Sequence, residues 1–209
     1  MARVNYVISL LKKYYPDAKC SLDFKNPFEL LVATVLSAQC TDERVNKVTP
    51  ALFKKYPDAR AMAKAQISDL EELIRSTGFY KNKAKNLKNT AEILMSSHGG
   101  VIPRSLDELT HLSGVGKKTA NVVLGTAYGI ASGVVVDTHV GRLSQRLGLT
   151  KNKTPEKIQQ DLEKVIPQEN WIEWSHLLIY HGRQICKARK PQCEVCFLQE
   201  ICPKTGVAR

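Results

Sequence analysis

Two lysines follow a Gly-Val-Gly turn in the stretch Leu112–Val123 (LSGVGKKTANVV), where they open a small, mostly uncharged helical run. A helix N-terminus carries the positive end of the helix dipole and is the least hospitable place for a cation. Lysine there calls for a chemical reason. A free lysine amine, with a pKa of about 10.4, is almost wholly protonated at neutral pH. Placed in a first helical turn, beside a second lysine and against apolar residues, the charged form is disfavoured and a nucleophilic amine becomes available. The competing reading makes both lysines point charges against phosphate, and Lys117 fits it well. Gly114 and Gly116 permit positive φ, and with Val115 between them they make a tight turn whose backbone N–H groups face outward. Such a turn receives a phosphodiester without reading its base; an ordinary helix–helix turn is the alternative.

A carboxylate that could partner the amine is Asp137 in Val134–Val140 (VVVDTHV), at the end of an apolar run and so at a semi-buried element boundary. The same pattern also describes a helix N-cap. A third constellation is Cys186, Cys193, Cys196 and Cys202, with spacing C-x6-C-x2-C-x5-C. The first residues lack the apolar core and cleavage site of a secretory signal, which places the chain in a reducing compartment and argues against two disulfides. Four thiolates so close need a metal centre, and both zinc and a 4Fe-4S cluster take four cysteines. The single C-x2-C knuckle leans away from a zinc ribbon, which uses two. Cys20 and Cys40 stand alone and read as buried small hydrophobes.

The elements that must carry these groups read as almost wholly helical. Val4, Val7, Ile8 and Leu11 fall at helical spacing. Asn26-Pro27-Phe28-Glu29 combines a capping Asn, Pro at the first helical position and an early Glu, and Phe28, Leu31, Val32, Val35 and Leu36 then form an apolar stripe. Ser68, the capping box Ser105–Glu108, and Thr154-Pro155 mark further starts. Gly129 should end the helix that begins with the two lysines. Only Val134–Val136 reads as a candidate strand. A membrane span over the 18 uncharged residues Thr119–Val136 is disfavoured by their polar content and bare minimum length.

Charge points outward to a polyanion. The 209-residue chain carries a formal +11, with Lys81, Lys83, Lys85 and Lys88 in one acid-free stretch and Arg183, Lys187, Arg189 and Lys190 in another. Hydrophobic residues at 43% and charged residues at 24% exclude a disordered polycation. Nucleic acid or an acidic membrane surface remains as partner, although the first lysine group also suits a plain solvated helix face.

Together, Leu112–Val123, Val136–His139, the four-cysteine tail and L36-S-A-Q-C-T-D42 resemble the endonuclease III family of helix-hairpin-helix DNA glycosylase/lyases over nearly the whole chain. The resemblance implies an all-α, two-lobed fold: a six-helix domain over residues 22–132 with the hairpin, and a domain joining residues 1–21 to 133–209 that holds a 4Fe-4S cluster rather than zinc. It implies a bifunctional base excision repair enzyme that flips a damaged pyrimidine from duplex DNA, forms a Schiff base and cuts 3′ to the abasic site by β-elimination. By position Lys118 matches the nucleophile and Asp137 the essential carboxylate. Gln39 matches the residue that fills the gap left by the flipped base, Phe79 stands where the relatives carry a Leu wedge, and Arg189 and Lys190 match a phosphate-contacting loop. Ser113 replaces the usual hairpin proline. Double-stranded DNA with damaged pyrimidines or abasic sites is the implied partner of a cytoplasmic, nucleoid-associated monomer with no membrane attachment. An adenine-mismatch glycosylase shares the hairpin and cluster but lacks the lysine at position 118. A non-catalytic cluster protein would leave Lys118 and Asp137 without a purpose.

Overall fold

The computed structural model describes residues 2–207, and all regular elements among them are helices. The chain divides into two compact units, Ser21–Ile130 and Met1–Cys20 together with Ala131–Arg209. The chain opens with α1 (Ala2–Tyr14), which packs Val4, Val7, Ile8 and Leu11 into the core of the discontinuous unit.

The continuous unit holds α2 (Pro27–Leu36), α3 (Asp42–Lys55), α4 (Ala59–Ala63), α5 (Ile67–Ile74), α6 (Tyr80–Ser97), α7 (Leu106–Thr110) and α8 (Lys117–Tyr128). The N-terminus of α2 is built as its sequence signals: Asn26 Oδ1 accepts from Glu29 N at 2.9 Å, and Glu29 Oε2 accepts from Lys25 N at 2.7 Å. Instead of one apolar stripe, every residue from Phe28 to Leu36 is buried, Glu29 and Thr34 included. Helix α2 is thus enclosed by its neighbours, including α3, α6 and α8. Side-chain caps also start α3 (Thr41), α4 (Asp58) and α7 (Ser105). Helix α5 begins one residue earlier than its Ser68 signal, behind Gln66, which gives no side-chain cap. Helix α8 ends at Gly129, whose φ of 67° lets Ile130 N reach back to Leu124 O at 3.0 Å and close the last turn.

The discontinuous unit adds α9 (Thr138–Arg146), α10 (Pro155–Val165) and α11 (Trp171–Gln184) to α1. Its core joins the α1 stripe to Val140, Leu143, Ile158, Leu162, Trp174 and Leu177. The expected strand at Val134–Val136 is absent, although the segment lies in this core. Side chains take the hydrogen bonds a neighbouring strand would have taken: Val134 N donates to Glu163 Oε1 at 3.1 Å, and Val135 O accepts from Ser175 Oγ at 2.9 Å. Burial fixed the β-branched run, and helices on either side satisfied its backbone.

Candidate functional site

The hairpin is α7, a turn from His111 to Gly116, and α8. Leu112 and Val115 are buried beneath it, and Val115 N donates to Leu112 O at 3.1 Å. Gly114 takes φ +75°, while Gly116 is extended (φ −87°, ψ 173°), so only the first glycine uses the left-handed region. Gly116 caps α8 without a side chain, which leaves the first amides of a 12-residue helix with no side-chain cap. Thr90 on α6 donates to Ser113 O at 2.8 Å and ties the turn to the core despite the absence of proline. Lys117 and Lys118 are both exposed on the first turn of α8. The expected packing of the Lys118 amine against apolar residues is not present. Its special surroundings are the helix terminus and Lys117.

Gln39 and Phe79 share an unusual backbone. Each is a non-glycine residue in the left-handed region, at φ 54° and 48°, and each is exposed, Phe79 to 64%. For residues with a side chain this conformation costs about 1–2 kcal/mol, and it is typical of functional loops. Neither side chain is buried in the core of its unit. Of the four nearby lysines, Lys83 does not belong to a solvated face: it is 5% exposed, with Nζ donating to Leu36 O and Thr77 O at 2.8 Å each. Lys81, Lys85 and Lys88 line an open pocket with Asn82 and Asn89.

In the other unit Asp137 is the N-cap of α9, with Oδ1 accepting from Val140 N at 2.8 Å. It is half-buried at the end of the Val134–Val136 run, whose two outer valines are buried, as the sequence suggests. Helix α9 then reaches the cysteine tail. Arg142 donates to Cys186 O, and Arg146 donates to Cys186 Sγ at 3.2 Å, Lys187 O at 2.8 Å and Ala188 O at 3.0 Å. Close contact with α11 depends on Gly182, where an added Cβ would lie 2.7 Å from His139 Nδ1.

Cys186, Cys193, Cys196 and Cys202 all line one cavity of about 30 Å³, with Arg146, Leu147, His181 and Leu198 among its walls. A single zinc ion would draw four sulfurs to about 2.3 Å from a common centre. Among the described residues no three His, Cys, Asp or Glu are placed to hold one ion. Four cysteines lining one cavity supply the donor set of a 4Fe-4S cluster. Burial pushes the Cys196 and Cys202 thiols up, so their thiolates need a cationic centre for charge balance. Donors already face the sulfurs: Leu198 N lies 3.4 Å from Cys196 Sγ, and so does His181 Nε2. Tyr15 fixes that imidazole. Burial first, then the Cys196 and Cys186 thiols, push its phenol up to about 12, and its hydroxyl pairs with His181 Nδ1 at 3.0 Å while Nε2 faces sulfur. His181 itself is held down to about 4 by burial. Arg189 and Lys190 are exposed on the loop that Arg146 holds, with Lys190 at φ 50°. Cys20 and Cys40 are half-buried, not the enclosed small hydrophobes expected of lone cysteines.

Lys83, Arg142, Arg146, Tyr15 and His181 carried no local signal, because each is placed by partners distant in sequence, up to 166 positions away. By contrast, the hairpin lysines, the Asp137 cap and the cysteine set were announced by spacing alone.

A hairpin with an uncapped helix start, a capping carboxylate and four cysteines around a void belong together in one class, the helix-hairpin-helix repair proteins. Residues 32–168 match the HhH-GPD superfamily of base excision DNA repair proteins, and residues 186–202 match the iron-sulfur binding domain of endonuclease III. The chain belongs to that superfamily. It is similar to endonuclease III of Synechocystis sp., at 56% identity over 96% of this chain and 92% of that one. Endonuclease III of Escherichia coli K12 is 39% identical over 94% and 92% of the two chains. Among solved structures, a non-covalent endonuclease III–DNA complex superposes with a TM-score of 0.91 at 45% identity, covering 97% of this chain and 95% of that one. A trapped endonuclease III–DNA covalent intermediate gives the same TM-score at 44% identity. The all-α fold, the 4Fe-4S centre and membership of base excision repair are thereby established.

Proposed function

We propose that Lys118 is the nucleophile and Asp137 the essential carboxylate with which this chain, a bifunctional DNA glycosylase and AP lyase, removes damaged pyrimidines from duplex DNA. The observation that carries the assignment is the exposed amine of Lys118 on the first turn of α8, directly after the uncapped hairpin turn. Similarity to a chain trapped as a covalent DNA intermediate supports an amine-based route.

The backbone amides at the start of α8 and the charge of Lys117 hold a phosphate beside the lesion. With the nucleotide flipped, the Lys118 amine bonds to the sugar C1′ as the glycosidic bond breaks and its electrons leave with the base. Asp137 stabilises the positive charge that develops on the sugar and relays protons. The cap engages its Oδ1, and Oδ2 is the oxygen assigned to that task. Loss of a proton from nitrogen opens the ring to an imine. Removal of a C2′ proton then expels the 3′ phosphate, and water hydrolyses the imine to restore the amine. Phe79 wedges into the stack while Gln39 occupies the vacated space. Cys186, Cys193, Cys196 and Cys202 would hold the cluster, which would order the loop from which Arg189 and Lys190 contact phosphate.

The enzyme acts as a monomer on DNA in the cytoplasm. None of its described helices is long and apolar enough to cross a membrane. Borohydride reduction with a thymine-glycol duplex tests the covalent step. The parent chain should be trapped on DNA, and Lys118→Gln should bind the duplex but give neither adduct nor strand cut. Trapping of Lys118→Gln would move the nucleophile to another residue, with Lys117 the first to examine.

A further inference from the structure

Lys83 is the one lysine of the acid-free stretch that the fold encloses, and its two acceptors come from two different loops. Leu36 is the last residue of α2, three positions before Gln39. Thr77 closes the single 3-10 turn that follows α5, two positions before Phe79. The two Nζ bonds, each 2.8 Å, therefore tie together the roots of the two segments whose tips stand in the left-handed backbone region. Burial lowers the pKa of the ammonium, while the nearby Cys40 thiol acts in the opposite sense. An apolar side chain of similar length would fill the same space without the cost of a buried charge. Its hydrogen-bond geometry supplies what an apolar residue could not: a fixed distance between two carbonyls 41 positions apart in sequence (77 minus 36). At 5% exposure the ammonium is also withdrawn from any phosphate.

We propose that Lys83 is a positioning residue that holds the Gln39 and Phe79 loops as one rigid pair, so that wedge insertion and gap filling occur together when a nucleotide is flipped. This rests on the assignment of Gln39 and Phe79 to the duplex interior. Lys83 touches no DNA; it acts through the two loops. Loss of the tie leaves each loop free to relax from its strained backbone, and displacement of a positioned group by about 1 Å can lower a rate on the order of 100-fold.

The test is Lys83→Met in the full chain, with 2-aminopurine placed next to thymine glycol so that unstacking is read as fluorescence. Expected are an unchanged affinity for undamaged duplex, loss of the fluorescence rise, and a single-turnover excision rate lower by about 100-fold. A folded Lys83→Met variant with the parent's fluorescence rise and rate overturns the proposal. Gln39→Ala and Phe79→Ala in the parent separate the two layers. If each lowers the fluorescence rise while Lys83→Met does not, the tie is wrong and the loop assignment stands. If neither does, the loop assignment fails and takes the tie with it. Should Lys83→Met fail to fold, the Gln39→Ala/Phe79→Ala double-mutant cycle decides: rigidly paired loops give non-additive losses, and strict additivity overturns the proposal.

Discussion

Replacement of Gly114 by Ala separates the backbone of the hairpin from its chemistry. At φ +75° alanine pays about 1–2 kcal/mol for the left-handed conformation. Its Cβ would also lie 2.6 Å from Asn86 Nδ2 and 3.0 Å from Asn86 Cβ and Cγ, so the near end of a side chain on α6 must shift. Forcing extra volume into a packed site adds roughly 1–3 kcal/mol, and the stiffer unfolded chain returns about 0.4–1 kcal/mol. The net loss is about 1–5 kcal/mol, and at about 2–4 °C per kcal/mol for a chain of this size the melting temperature falls by several degrees or more. The displaced turn misaims the amides that start α8, and a lost hydrogen bond to a charged group costs about 1.5–3 kcal/mol, on the order of tenfold or more in duplex affinity. Gly116→Ala is the matched control. With φ −87° and no heavy atom within 4 Å of an added Cβ, it should melt with the parent. Any loss of duplex affinity there then reports a phosphate close to that backbone. Calorimetry and fluorescence anisotropy with undamaged duplex measure both quantities. A Gly114→Ala protein that melts and binds like the parent, or a Gly116→Ala protein that melts lower than Gly114→Ala, would refute the assignment of strain to the first glycine alone.

Asp137→Asn should keep the α9 cap, since Asn caps as well as Asp, and lose turnover without loss of melting temperature; Asp137→Ala should add about 0.5–2 kcal/mol of instability. If Asp137→Asn unfolds the unit instead, its role is the cap alone. Purified protein should be yellow-brown with iron at the stoichiometry of a 4Fe-4S centre. Tyr15→Phe, which removes the hydroxyl paired with His181 Nδ1, should shift the cluster's reduction potential while iron content is retained, as followed by voltammetry. Changing Arg189 and Lys190 together to Ala should leave colour and melting point alone and flatten the salt dependence of duplex binding, because those exposed side chains meet phosphate rather than iron. Equal salt slopes for parent and variant would place the main phosphate contacts on the hairpin and the Lys81–Lys88 stretch.

What the amino-acid order settled by itself is whatever depends on near neighbours. The Asn26–Glu29 cap, the Gly129 stop and the Leu112–Lys118 hairpin are local hydrogen-bond patterns, legible from a few adjacent residues. The C-x6-C-x2-C-x5-C tail declared a metal centre because four thiolates within 17 residues repel one another unless a cation holds them. Spacing alone left zinc and iron–sulfur both open, and the match of residues 186–202 to the iron-sulfur binding domain of endonuclease III decides between them. The Val134–Val136 run looked like a strand because it is β-branched and buried; only the packed helices show that Glu163 and Ser175 satisfy its backbone. Gly114 and Gly116 are indistinguishable in sequence, yet one is left-handed beneath Asn86 and the other extended in open space. The same limit explains Lys83. Four lysines within eight residues look alike on a helix, and what separates one of them is a carbonyl 47 positions away that arrives only when α2 is enclosed, because burial is a property of the assembled core rather than of any segment.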